Sequence, residues 1–251
     1  MGSIMKKSLI FLSTFFFSIS TIADHHAPAS QPGILEAWQC NYKPGKNYSD
    51  LMSARDYLVK RSAKAGITPE RSVVWSLYKG NDPIDFVWFT AHDNMLAFGA
   101  AADRDASSNL SDVQARFDSV ADCSAGIGMV SPILRRTEHR ENNVVASYAC
   151  NLKHGVSASD VKDLTDHAAQ VFETMGDNAP GRAYMIDPVT GSGGTDLYLF
   201  ETYKNVSAWT NFVGNIVGSP DGQMLVRHLD KVVDCEMSLW NSQMVVGNTS
   251  E

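Results

Sequence analysis

Two tryptophans, Trp75 and Trp88, sit on neighbouring apolar runs, and His92 follows the second run. Ring faces of this kind can stack on a flat ligand, with the imidazole as a polar handle. The plainer use of the same residues is packing between sheets. Further along the chain the matching places hold Ile186, Leu199 and Tyr203. A site built on these positions therefore belongs to one half of the chain, with Tyr203 counted among its candidates.

Other candidates come in pairs. Asn41-x-Lys43-x-Gly45 returns as Asn151-x-Lys153-x-Gly155. Lysine with backbone N–H groups suits an anionic ligand; alternatively Asn and Gly shape the exit from a strand and the lysine is solvated. Arg71/Arg182, Asp85/Asp196 and Asp56/Asp166 have the types for acid–base work and equally for ion pairs that tie strand ends to helices. Asp24-His25-His26 is a different case. After cleavage behind Ala23, the free amine, two amide nitrogens and the third-position imidazole would form a square-planar nest for Cu(II) or Ni(II). No phosphate loop, nucleophile elbow, HExxH or CxxC occurs.

The elements that must position these residues are written twice. CNYKPGKNYSDL at 40–51 returns as CNLKHGVSASDV at 150–161. Later matches need one inserted residue (Gly80 with Gly191, Phe89 with Phe200, Asn94 with Asn205) and then a second (Asp118-x-Val120-x-Asp122-Cys123 with Asp230-x-Val232-x-Asp234-Cys235). A tandem duplication is the reading. Each copy offers an alternating strand (37–43, 147–153), a helix, a second strand (72–78, 183–189), a third apolar run (84–89, 195–200), a broken helical stretch and a last strand. In the second copy Val161, Leu164, Ala168, Val171 and Met175 mark the helix, with Gly176 beyond its end. The third runs do not alternate, which predicts burial on both faces.

The order βαββαβ is that of a ferredoxin-like unit. The fold class expected is α+β, two tandem ferredoxin-like units packed as a pseudo-dimeric barrel. First and fourth strands are then antiparallel neighbours, which predicts Cys40–Cys123 and Cys150–Cys235. Each bridge closes a loop of more than 80 residues, for about 4 kcal/mol on the chain-entropy model. The expected boundaries are a signal peptide 1–23, a flexible linker 24–33, units 34–131 and 144–246, a linker 132–143 and a tail 247–251.

Lys6 and Lys7, an apolar stretch 8–19 and Thr21-Ile-Ala23 have the pattern of a secretory signal. Export to the periplasm or the medium is expected, which suits four cysteines as disulfides. Removing 1–23 takes two lysines and no acid, leaving 19 basic against 28 acidic residues and a formal charge of −9. A chain so acidic has no footprint for nucleic acid, and no later segment is apolar for long enough to span a membrane.

The stretch LYLFETYKNVSAWTNFVGNIVGSPDGQMLVRHLDKVVDC (197–235) resembles the antibiotic-biosynthesis-monooxygenase family of the dimeric α+β barrel superfamily, and 86–123 is similar in a more divergent way. The resemblance implies two sheets closed into a barrel, here supplied by one chain. It also carries over a haem-degrading site, with Asn151, Trp209 and His228 at the matching places. Histidine would ligate iron, asparagine would bind the oxygen species and tryptophan would press on the macrocycle. Trp209 and His228 lie further apart than in that pattern, and the first unit has Phe98 and Arg116 instead. Three functions stay open: a binding module for a small apolar or aromatic ligand, led by Trp75, Trp88, His92, Asn41 and Tyr203; a monooxygenase-type enzyme, cofactor-free or haem-using; and an interaction domain without a pocket. In each case the chain is expected as a monomeric pseudo-dimer or a higher oligomer.

Overall fold

The computed structural model describes residues 32–80, 83–108, 110–135, 142–191 and 193–247, which belong to one compact unit. The signal sequence and Asp24, His25 and His26 lie outside the described residues. The first half runs β1 (Gly33–Tyr42), α1 (Tyr48–Ala65), β2 (Ser72–Lys79), β3 (Phe86–His92), α2 (Met95–Ser107), α3 (Ser111–Asp118) and β4 (Ala121–Arg135). The second runs β5 (Asn142–Leu152), α4 (Ala158–Thr174), a short 3-10 turn, β6 (Arg182–Thr190), β7 (Leu197–Tyr203), α5 (Val206–Gly218), α6 (Pro220–Val232) and β8 (Val233–Val246). Among the described residues no helix is long and apolar enough to cross a membrane.

The eight strands close into one antiparallel barrel in the order β1-β3-β2-β8-β5-β7-β6-β4. Each half contributes four adjacent strands, and β2 with β8 and β6 with β4 form the two seams. The last strand of each half is long, Ala121–Arg135 and Val233–Val246. β4 continues through Arg135, so the first residues of the stretch read as a linker are strand, and β5 already begins at Asn142. The extra length crosses the seams. Val245 and Val246 of β8 pack in the helical layer of the first half, and Leu134 of β4 packs in that of the second.

The doubled phrase is the hinge of this architecture. Asp50 and Asp160 complete capping boxes with Asn47 and Ser157, satisfying the free N–H groups at the starts of α1 and α4. Lys43 Nζ donates to Asp118 O at 2.5 Å, and Lys153 Nζ does the same to Asp230 O. Asp85 and Asp196 accept from the backbone N–H groups of Tyr42 and Leu152, each at 2.8 Å. The lysines thus fasten strand ends to helix ends, and the aspartates fasten the end of each first strand to the start of the third.

Cys40 faces Cys123 and Cys150 faces Cys235 in register, and both pairs are bridged, with Cα atoms 4.1 Å apart. Three apolar clusters result: one between sheet and helices in each half, and one inside the barrel.

Candidate functional site: the barrel interior

Strand alternation sends every second residue inward. Leu35, Ala37 and Gln39 of β1, Trp75 of β2, Val87 and Phe89 of β3, Tyr198 and Phe200 of β7 and Ser238 and Trp240 of β8 enclose a cavity of about 610 Å³. That volume suits a small-molecule site. Its floor is aromatic: the Trp75 ring centroid lies 4.4 Å from that of Phe89 and 4.7 Å from that of Phe200. Trp240 is 2% exposed and is held by its Nε1–H, which donates to Ser147 Oγ at 2.7 Å.

Across the barrel from Trp240 the wall is bare backbone. Gly126 and Gly128 of β4 line the cavity, and a Cβ at Gly126 would stand 2.9 Å from Thr190 O. Only glycine lets β4 approach β6 this closely, at the bulge between Ile127 and Gly128. One end of the cavity lies at the end of the barrel that carries both disulfides. There Gln39, Ser124, Ala149 and Glu236, each beside a bridged cysteine, form its rim with Pro83 and Thr195.

A second polar locus lies on the opposite face of the sheet, within the helical layer of the second half. Glu201 of β7 accepts from Tyr203 Oη at 2.7 Å and from Tyr148 Oη at 3.1 Å. Its cross-strand neighbours Ala146 and Ala183 are too small to shield it with more than methyl groups. Burial pushes the Glu201 carboxyl up to about 7, against the opposing pull of the two phenols. Burial, then the nearby Glu201 charge, holds both phenols well above their ordinary range. Trp209 packs on the same cluster, and its buried Nε1–H has no partner among the described residues. The first half has a related arrangement. Glu36 is raised by burial and opposed by His92, whose Nε2 lies 4.0 Å from Glu36 Oε2.

The residues singled out from sequence scatter over these places. Trp75 lines the barrel cavity. Trp88 does not: paired with Val74 while Trp75 pairs with Val87, it points to the helices and meets Phe117. His92 is buried on that same helical side, edge-on to Phe98. Tyr203 faces the helical layer as well, and Asn41 is exposed at the end of β1 opposite Asp122.

The haem trio is not brought together. Asn151 is exposed at the end of β5 opposite Asp234. Trp209 lies on α5, which starts past the other end of β5, where Val144 pairs with Tyr203. His228 on α6 turns its Nδ1 to His167 Nδ1 at 3.1 Å. Neither the barrel cavity nor the shallower groove by Tyr48 and Gln243 is lined by any of the three. These residues do not fit a haem.

Sequence reasoning missed Glu201, Trp240 and the glycine wall. For Glu201 a signal existed: a lone carboxylate inside the apolar run LYLFETY, two places from a tyrosine and at the parity of buried Leu197.

Neither a protein-family model nor a curated protein matches the chain. Solved structures do. A candidate monooxygenase from Fusobacterium nucleatum is 13% identical, with 86% of this chain and 94% of that one covered and a TM-score of 0.56. One from Lactobacillus acidophilus is 12% identical over 86% and 98%, also at 0.56. A dye-decolorizing peroxidase from Bacteroides thetaiotaomicron is 9% identical over 86% and 94%, at 0.51. At these identities the likeness is one of fold, the dimeric α+β barrel.

Proposed function

We propose that this α+β barrel is an exported binding module that takes a small apolar or aromatic ligand into its interior. The observation that carries the reading is the cavity of about 610 Å³ floored by Trp75, Phe89 and Phe200. An interior left open at this size, with an aromatic floor and a polar rim, has the build of a ligand site. Each half is read as a ferredoxin-like unit, supported by four adjacent strands per half and one disulfide in each. Two disulfides agree with export.

Titration with N-phenyl-1-naphthylamine tests the reading. Saturable fluorescence enhancement is expected, and Ala149→Phe, which projects a ring into the cavity, should abolish it while circular dichroism stays unchanged. Absence of saturable binding to the wild type sinks the proposal.

A second reading is a cofactor-free enzyme of monooxygenase type, and the Glu201–Tyr148–Tyr203 cluster is what favours it. A carboxyl poised near 7 and hydrogen-bonded by two phenols can hold or release a proton at neutral pH. Oxygen uptake with electron-rich polyphenols, lost in Glu201→Gln, is its test; no uptake leaves the binding module alone.

A further inference from the structure

Resting on the binding reading above, we infer that the cavity selects ligands by charge: it takes an apolar body carrying a cationic head and disfavours anions. The cavity has two chemically distinct ends. The floor offers only ring faces and aliphatic groups. The rim offers Gln39, Ser124, Thr195 and the carboxylate of Glu236. Among the described lining residues Glu236 is the single charged one, and none of them is lysine, arginine or histidine. It is exposed and makes no ion pair or side-chain hydrogen bond among the described residues. An unneutralised carboxylate at the mouth of an apolar cavity attracts a cation and repels an anion, and the chain's formal charge of −7 adds to the same field.

The two rim positions beside the second cysteine of each half show how the selectivity arises. Ser124 follows Cys123, and Glu236 follows Cys235 at the equivalent register. A ligand entering between them meets a carboxylate on one side and a hydroxyl on the other. Its head is therefore drawn toward β8, above Trp240, while its body lies against the glycine wall of β4. The ligand class is an aromatic or aliphatic ammonium compound.

A matched set of naphthalenes separates the possibilities: 1-naphthylmethylammonium, 1-naphthalenemethanol and 1-naphthylacetate, each titrated calorimetrically at low ionic strength. A carboxylate about 4 Å from a solvated charge gives the cation about a fivefold advantage over the neutral alcohol and the anion about a fivefold handicap. Glu236→Gln should bring the cation down to the affinity of the alcohol, and 0.5 M salt should narrow the spread in the wild type. If the alcohol binds but cation and anion fall within twofold of each other, or the spread survives in Glu236→Gln, charge selection is overturned and the binding module stands. If none of the three binds, the binding module and this inference both fall.

Discussion

Replacing Glu201 by glutamine is expected to stabilise the protein above pH 7 and to leave it unchanged near pH 4. The carboxyl is held at about 7 by burial, against an ordinary value of 4.5. Below pH 4.5 it is protonated in both folded and unfolded chains, so its contribution to folding is fully present. As pH rises toward 7 the unfolded chain releases this proton and the folded chain does not, and stability falls until the folded group has titrated. The loss reaches about 3 kcal/mol, at 1.36 kcal/mol per unit. That figure is an upper value, because Glu201 keeps a partly accessible edge. Glutamine keeps an acceptor for the Tyr203 and Tyr148 hydroxyls without the charge. Urea unfolding of both proteins from pH 4 to 8.5, disulfides oxidised, reads the difference directly. The gap should open between pH 4.5 and 7 and then stay level, for a melting-temperature gain of about 6–12 °C at pH 8. A gap independent of pH, or one that closes as pH rises, refutes the placement of Glu201 as a buried carboxyl.

Removing the Cys40–Cys123 bridge as the double serine variant opens a loop of 83 residues, and urea denaturation should show a loss of about 4 kcal/mol. Gly222→Ala places a methyl inside contact distance of Ile216 O where α6 starts against α5; thermal unfolding should show a loss of about 2–3 kcal/mol. Gly214→Ala on α5 meets open space and should gain up to about 1 kcal/mol in the same assay. Ser147→Ala orphans the buried Trp240 Nε1–H and should lower stability by about 1–3 kcal/mol. Trp240→Phe and Ser147→Ala combined should lose less than the sum of the two single variants, because both remove the same bond.

The cysteines show how much of the fold was legible. In each half one cysteine lies late in the first strand and the other at the start of the last, so antiparallel pairing of those strands sets them opposite each other, as Cys40↔Cys123 and Cys150↔Cys235 stand in the barrel. Helix starts are equally local, since a few consecutive residues decide them: Asn47 with Asp50, Ser157 with Asp160, and Ser219 before Pro220. The site was far less legible. In the run Phe86-Val87-Trp88-Phe89 every residue is buried, so hydropathy carries no phase and cannot say which side chains enter the barrel. Register does say it, and register is set by the partner strands: Val74↔Trp88 and Trp75↔Val87 send the two tryptophans to opposite faces. The glycine wall was hidden for a similar reason. Gly126 and Gly128 fall inside the expected last strand of the first copy, and their lack of side chains gains a meaning only where β4 closes against β6.

The helical layers of the two halves suggest why Glu201 sits where it does. In the first half Glu36 of β1 stands opposite Thr90 of β3; in the second, Ala146 of β5 stands opposite Glu201 of β7. The same cross-strand pair thus carries one carboxyl per half, on the first strand in one and on the third in the other. Its flanks correspond too: Trp38 and His92 in the first half, Tyr148 and Tyr203 in the second. A buried carboxyl lowers stability wherever it is placed, and the pair position could hold threonine and alanine together without one. Two different placements of the same group, each with its own set of donors, therefore argue that this layer keeps a polar locus in spite of the loss. In the second half that locus also holds a full pair of phenol donors, and Trp209 packs on the same apolar cluster. The two faces of the sheet thus differ in kind: the barrel interior holds an open cavity, and the helical side holds a buried carboxyl.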